Sequence, residues 1–180
     1  TDIFKLLQVF EPDTVLTKDI WAYLWGKMGY GAMLFATALT HDSMTANFAN
    51  PKRGPALMGL AREVMRAALA EGVDPKPFNG FDPAAFMPGA SDAAALQSLA
   101  DLADFNSKTA KTHTGIYRDI TVRKRKTEVD PQVGAVAKIA AAHGIDALLL
   151  HRLVELIHDI EDGRREMSAE TFHELTKVMA

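Results

Sequence analysis

Apolar residues recur along most of this chain at intervals of three and four positions, the spacing that gathers them on one face of an α-helix. The segment from Ala56 to Glu71 shows this spacing most clearly. Its apolar positions on that face are Leu57, Leu60, Val64, Ala67 and Ala68. Only the connector Thr14-Val15-Leu16 is extended enough to be interpreted as a strand. The pattern therefore predicts an all-α fold, a multi-helix bundle.

Residues that begin or end helices divide the chain into predicted segments. These segments cover about 2–10, 17–40, 56–71, 92–105, 116–126, 131–143, 146–161 and 169 onward. The predicted N-caps are Thr17, Ser91 and Ser168, and the predicted C-terminal glycines are Gly72 and Gly144. The stretch 74–89, rich in Pro, Gly and Phe, is predicted to be irregular, with room for one turn begun by Asp82-Pro83. Short connections between successive helices favour a single bundle.

Composition limits the classes of function. With 48% hydrophobic residues in 180 positions, the chain can bury the core of one ordinary domain. The 20 basic and 23 acidic residues argue against an electrostatically driven nucleic-acid partner. The absence of cysteine excludes disulfides, thiolate metal sites and cysteine nucleophiles, and it fits a cytoplasmic location. No signal-peptide pattern or initiator Met is present at the start, so we expect a fragment or a processed product.

One segment, Ile20 to Leu39, has about the length and apolar character of a membrane-spanning helix. Lys27 lies well inside it, however, and a lysine in the middle of a bilayer is costly. We therefore predict a helix buried in the protein core, and no membrane partner.

The same segment contains a cluster of glycines at Gly26, Gly29 and Gly31. It matches neither the dinucleotide fingerprint nor the Walker loop. A glycine inside a helix costs about 1 kcal/mol relative to alanine, so the cluster needs a local reason. Close helix contact, a kink, or space for a ligand beside Lys27 would each supply one.

Lys27 is the first candidate for chemistry. Its neighbours Trp25, Met28 and Tyr30 are large and mostly apolar, so we expect its amine to leave water at least partly. A poorly hydrated lysine can act as a proton donor or base near neutral pH. The alternative is a lysine that extends to the domain surface.

Two polar groupings further along the chain allow more than one interpretation. The basic run Arg123–Lys126 could bind an anion, nucleic acid or a neighbouring domain, although a solvated helix face is commoner. Glu128, beside it, could accept hydrogen bonds from a substrate or be an ordinary carboxylate at a helix N-terminus. His151, Glu155 and His158 share one helical face, but leucines and isoleucines already supply the buried face of that helix. We expect that trio to be exposed surface and predict no metal site.

Two motifs, taken together, carry a family resemblance. Ile20-Trp21-Ala22-Tyr23-Leu24-Trp25-Gly26-Lys27-Met28 resembles the W-x-K-[LM] opening of the C-terminal domain of the ketopantoate reductase family. Arg118-Asp119, followed by Arg125-Lys126-Thr127-Glu128-Val129-Asp130, resembles that family's QD…R-x-TEID segment. Gly134 and His143-Gly144-Ile145 match the usual continuation. The resemblance covers nearly the whole chain in the right order and spacing.

The resemblance implies a helical domain of the 6-phosphogluconate dehydrogenase C-terminal type. It implies that residues 1–16 are the tail and connector of a missing N-terminal Rossmann domain, which would bind most of the NADP(H). It also implies that residues 17–180 form a substrate-binding and dimerisation domain. The complete enzyme would be a homodimer of pantothenate biosynthesis that reduces a 2-keto acid to a 2-hydroxy acid. This chain alone would be inactive.

The resemblance also implies roles for individual residues. Lys27 would donate a proton to the developing alkoxide, and Glu128 would orient the substrate. The family's substrate-contacting serine falls near Thr114 or Gly115. Where the family places asparagines, one and two turns after the lysine, this chain has Gly31 and Phe35. We therefore expect a bulkier or more apolar keto acid than ketopantoate.

A different class of function stays open, a non-catalytic helical interaction or dimerisation domain in which Lys27 and Glu128 serve only structure. Position separates the two hypotheses. An enzyme requires both side chains to line one cleft, whereas an interaction domain does not.

Overall fold

The computed structural model describes residues 2–77 and 80–179, and in these ranges the chain is helical with no β-sheet. Its α-helices are α1 (Asp2–Phe10), α2 (Ile20–Thr37), α3 (Met44–Ala49), α4 (Gly54–Ala70), α5 (Asp92–Ser107), α6 (Gly115–Arg118), α7 (Ala135–Ala142), α8 (Leu148–Glu161) and α9 (Ala169–Thr176). The described residues also form two π-helical segments, Asp119–Arg123 and Asp130–Gly134, and two short 3-10 segments, Pro83–Phe86 and Lys177–Met179. The predicted all-α fold is confirmed.

The core lies around α2 and α4, which pack against each other. α4 also meets α7 and α8, while α3 packs on α5. The predicted apolar face of α4 is buried, with Leu57, Leu60 and Val64 all fully inaccessible to solvent. Helical spacing identified this face correctly because apolar side chains three and four positions apart share one side of a helix.

Several predicted helix ends are confirmed by their capping contacts. The Ser91 hydroxyl accepts a hydrogen bond from the Ala94 N–H, and the Ser168 hydroxyl accepts one from the Thr171 N–H. Gly72 and Gly144 both have positive φ angles, +73° and +67°, in the left-handed conformation that favours glycine after a helix. The predicted turn at Asp82-Pro83 opens the first 3-10 segment.

The prediction at the start of α2 was wrong. Asp19, not Thr17, is the N-cap, since its carboxylate accepts a hydrogen bond from the Ala22 N–H at 3.2 Å. The Thr17 hydroxyl instead accepts from the Asp19 N–H at 2.9 Å and so supports the cap from outside the helix. The helix ends at Thr37 rather than Thr40. The connector 14–16 forms no strand.

α3 was not predicted at all. It spans Met44–Ala49, and Ser43 caps it by accepting a hydrogen bond from the Ala46 N–H. Six residues are too few to show helical periodicity. The helix is held instead by Asn47, which is fully buried and whose amide donates to the carbonyl oxygens of Asp42 and Ser43.

The glycines of α2 differ in what surrounds them. A Cβ on Gly26 would collide with the backbone carbonyl of Lys76, where the chain crosses α2 and the Lys76 N–H donates to the Ala22 carbonyl at 3.0 Å. A Cβ on Gly29 would lie 2.7 Å from the Met65 methyl. Close packing therefore explains both glycines.

No described helix combines the length and apolar character needed to cross a bilayer. α2 packs in the protein core, as predicted, and residues such as Met33 and Ala36 are fully buried. α1 is different, because none of its residues is buried and Ile3, Val9 and Phe10 are all more than two-thirds exposed. The assignment of 1–16 to another domain stays a prediction.

Candidate active site

A cleft of about 650 Å³ opens beside α2. Its walls come from α2, the end of α5, the loop that follows α5, and the segment from α6 through the second π-helical segment. All six residues predicted for a site line it, namely Lys27, Gly31, Phe35, Thr114, Gly115 and Glu128. The fold thus brings together two groups of residues that are far apart in the sequence.

The α2 wall carries Lys27, Gly31 and Phe35, which are one turn apart on the same helical face. Lys27 is exposed and makes no hydrogen bond or ion pair to a described residue. The expectation that its amine leaves water was therefore wrong for this chain. Trp25 turns into the core, where it is 8% exposed, while Lys27 turns to the open cleft.

Another part of the lining carries Glu128, whose neighbours Thr127 and Asp130 are both held by α8. The Thr127 N–H and hydroxyl both donate to Glu161 Oε1 at 2.7 Å. His158 Nε2 lies 3.0 Å from Asp130 Oδ2. Because Thr127 and Asp130 are turned to α8, Glu128 between them faces the cleft.

Glu128 is exposed, and its Oε2 accepts a hydrogen bond of 2.7 Å from the Gln132 side-chain amide. Gln132 lies in the π-helical segment Asp130–Gly134. Its backbone N–H also donates to the Glu128 carbonyl at 3.2 Å. The carboxylate is thus oriented by a neighbour one turn ahead.

The basic run beside this wall folds back onto carboxylates. Arg123 and Arg125 both pair with Asp119, at 2.6 and 3.1 Å. Hydrogen bonds from Arg125 and then Arg123 hold the pKa of Asp119 below its ordinary value. Lys126 lies 3.5 Å from Asp162. These pairs offset the charge of the run, which argues against the nucleic-acid interpretation.

The floor of the cleft is mostly apolar. Phe35 is 1% exposed, and Leu34, Met44 and Ile116 lie around it. The polar exception is Tyr30, whose hydroxyl accepts from the Asn106 amide at 3.1 Å. Burial raises the pKa of Tyr30, so its hydroxyl is neutral at physiological pH.

The two residues proposed for the serine position, Thr114 and Gly115, lie at the start of α6 and line the cleft. Thr114 is 2% exposed and its hydroxyl oxygen caps α6 by accepting from the Tyr117 N–H at 3.0 Å. Gly115 is partly exposed, and a Cβ there would meet no atom within 4 Å. Thr114 therefore positions the start of α6, and Gly115 leaves open space above the floor.

Sequence reasoning missed several residues that line the cleft, namely Tyr30, Asn106, Lys111 and Gln132. Two of them carried a signal in helical spacing. Tyr30 follows Lys27 by three positions, and Gln132 follows Glu128 by four. Asn106 and Lys111 carried none, since their place depends on how α5 and the following loop pack.

The charged groups around the cleft are of both signs. Lys27, Lys111 and Arg125 supply positive charge, whereas Glu128 and the paired Asp119 supply negative charge. Within 2–77 and 80–179, no cluster of three His, Asp or Glu side chains could hold a metal ion. The described cleft can bind an anionic group beside an apolar one, with an ammonium group as a proton source.

Comparison with known proteins gives one family and two similar solved structures. The family described as the C-terminal domain of ketopantoate reductase PanE/ApbA matches residues 18–161. The structure of D-mandelate dehydrogenase with NADH and anilino(oxo)acetate matches 90% of this chain and 48% of that protein, with a TM-score of 0.70 and 16% identity. Dimeric ketopantoate reductase from Staphylococcus aureus matches 91% of this chain and 52% of that protein, with a TM-score of 0.61 and 18% identity.

The chain therefore spans about half the length of each of these proteins. At these identities the two structures establish the shared helical fold. No curated protein matches the chain.

Proposed function

Because the chain belongs to the ketopantoate reductase family, through the C-terminal domain that its residues 18–161 match, we propose that it is the substrate-binding domain of a reductase that converts a 2-keto acid into a 2-hydroxy acid. One observation carries the proposal. Lys27 and Glu128 both line a single cleft with a mostly apolar floor. An exposed ammonium and a held carboxylate would both be available to a small acid bound in this cleft.

Reduction of a keto group needs a proton for the oxygen on which negative charge develops. Lys27 is proposed to supply it, since an ammonium both stabilises an alkoxide and can protonate it. Its amine is hydrated in this chain. Closure of a second domain over the cleft would remove that water and strengthen the interaction with substrate.

Glu128 is proposed to orient the substrate by accepting hydrogen bonds. Two features of its surroundings favour this role over that of a helix-terminal carboxylate. The backbone on both sides is fixed to α8 through Thr127 and Asp130, and the side chain is turned into the cleft. A carboxylate held in one place costs less entropy when it binds substrate.

The hydride would come from a nicotinamide cofactor, NADP(H) in our proposal. The described residues contain no parallel sheet or glycine-rich βα turn of the kind that binds a dinucleotide. We therefore place the cofactor mainly on an N-terminal Rossmann domain, to which residues 1–16 would belong. The exposed apolar side chains of α1 are suited to packing in such a domain. A homodimer, as in the ketopantoate reductase of Staphylococcus aureus, is part of the same proposal.

The substrate is proposed to carry a bulkier or more apolar group than ketopantoate. Gly31 and Phe35 offer no amide from α2, and Phe35 forms the floor together with Leu34, Met44 and Ile116. The similar D-mandelate dehydrogenase was solved with anilino(oxo)acetate, a 2-oxo acid derivative with an aromatic ring. Aryl and branched-chain 2-keto acids are therefore the first compounds to test.

A non-catalytic interaction domain is the competing function. The hydrated, unpaired state of Lys27 among the described residues and the exposed apolar face of α1 favour it. In that case the cleft residues would be dispensable for any reaction.

The experiment is a screen of straight-chain, branched and aryl 2-keto acids against the full-length protein that carries this domain, with NADPH and with NADH. We expect Lys27→Ala to lower kcat by about a hundredfold or more, the usual contribution of a general acid. The matched control is Lys138→Ala, which removes another exposed helical lysine, outside the cleft. A full-length protein that reduces none of these acids, or a Lys27→Ala variant with unchanged kcat, would contradict the proposal.

A further inference from the structure

The side chain of Gln132 lies between Glu128 and Gly31, and all three residues line the cleft. Its Nε2 donates to Glu128 Oε2 at 2.7 Å on one side. On the other side, its Oε1 lies 4.0 Å from the point that a Cβ on Gly31 would occupy. Among the described residues, that oxygen is the one atom within 4 Å of this point, apart from the backbone of α2 and the chain neighbours of Gly31.

The chemistry of the two groups determines which way the amide points. An ionised carboxylate only accepts hydrogen bonds, so the NH₂ end of Gln132 must face Glu128. The carbonyl end then faces α2 beside Gly31. A side chain at position 31 that extended beyond Cβ would enter the space that this carbonyl now occupies.

We propose that Gln132 is a positioning residue for the reaction, which holds the Glu128 carboxylate in its cleft-facing orientation, and that Gly31 leaves the space this arrangement needs. The inference rests on the proposed function and deepens it. The amide that contacts Glu128 comes from the π-helical segment Asp130–Gly134, not from α2. The wider turn of that segment is a feature often found at functional sites.

The arrangement predicts how Gln132 and Glu128 depend on each other. Gln132→Met keeps the length of the side chain and removes the donor. We expect kcat/KM of the full-length protein for its best 2-keto acid to fall about tenfold, mainly through a higher KM, as expected for loss of a hydrogen bond to a charged group. In a Glu128→Ala background the same change should have no further effect, because Gln132 acts through Glu128.

The arrangement also predicts how Gln132 depends on Gly31. Gly31→Asn alone should lower kcat/KM, because the new amide displaces Gln132. In a Gln132→Ala background, Gly31→Asn should not lower kcat/KM further. It should restore part of the kcat/KM lost through Gln132→Ala, since an amide is again available near Glu128. Gln132→Glu should lose more than Gln132→Met, because it brings a second carboxylate against the first.

The matched control is Gln97→Met. Gln97 makes the same kind of bond on an exposed face of α5, where its Nε2 donates to Asp101 Oδ1 at 2.9 Å over a separation of four residues. We expect this variant to keep wild-type kinetics and to shift the unfolding midpoint about as much as Gln132→Met does.

The outcomes separate the two levels of the argument. A wild-type full-length protein that reduces no 2-keto acid would overturn the proposed function and this inference with it. An active wild type, combined with wild-type kinetics for Gln132→Met, would overturn the inference alone. An equal fold-loss with and without Glu128 would also overturn it, since Gln132 would then act by another route.

Discussion

The glycines of α2 allow the same substitution to be tested at two places with opposite expected signs. Gly26→Ala would drive a methyl group against the Lys76 carbonyl and break the hydrogen bond from Lys76 N–H to Ala22 O. The obstacle is backbone, which cannot move aside as a side chain can. Gly31→Ala would instead place its methyl group 4.0 Å from Gln132 Oε1, an ordinary van der Waals contact.

The magnitudes follow from three contributions. Overpacking costs about 1–3 kcal/mol, the lost hydrogen bond costs about 1 kcal/mol, and alanine gains about 1 kcal/mol over glycine in a helix. Gly26→Ala should therefore lower the free energy of unfolding by about 1–3 kcal/mol. For a chain of this size, about 2–4 °C in Tm corresponds to 1 kcal/mol, so Tm should fall by roughly 2–12 °C. Gly31→Ala gains only the helix term and should raise stability by about 0.5–1 kcal/mol.

The assay is urea and thermal unfolding followed by circular dichroism, with both variants and the wild type in one buffer. Gly29→Ala is a useful third variant. Its methyl group would press on side chains rather than backbone, namely the flexible end of Met65 at 2.7 Å and the buried Phe81 ring at 2.9 Å, so its effect should lie between the other two. If Gly26→Ala were as stable as the wild type, or Gly31→Ala as damaging as Gly26→Ala, the packing explanation for the glycine cluster would be wrong.

Two further stability predictions concern single side chains. Burial raises the pKa of Glu63 above 4.5 despite its hydrogen bonds from the Leu149 and Leu150 N–H groups, so the unfolded chain loses this proton first. The stability that protonated Glu63 contributes below pH 4.5 should therefore decline as pH rises through the raised pKa. Glu63→Gln, compared with the wild type by urea unfolding across pH, should remove that part of the decline. An identical pH profile for the two proteins would exclude this role of Glu63. Thr114→Ala removes the cap of α6 and should lower the free energy of unfolding by about 1 kcal/mol. Thr114→Ser keeps the hydroxyl and should lower it less. Equal losses for the two variants would show that the hydroxyl does not provide the stabilisation.

The site was partly visible in the sequence. Lys27 and Glu128 were identified through motifs, and the structure places both in one cleft. Their roles remain proposals. The hydration of Lys27 was predicted wrongly, because Trp25 turns into the core while Lys27 turns to the open cleft. The place of Asn106 in the cleft could not be predicted from the sequence, since its contact with Tyr30 joins residues that are 76 positions apart.

The sequence by itself determined the helical class, several helix ends and the buried face of α4. These features depend on contacts between residues a few positions apart, so the spacing of apolar residues and the types of capping residue predict them. The tertiary structure decided which α2 glycines are needed for packing, that Lys27 faces water, and that Gln132 lies between Glu128 and Gly31. Each of these depends on how distant segments pack together, because the exposure of a side chain is set by what the rest of the fold places beside it.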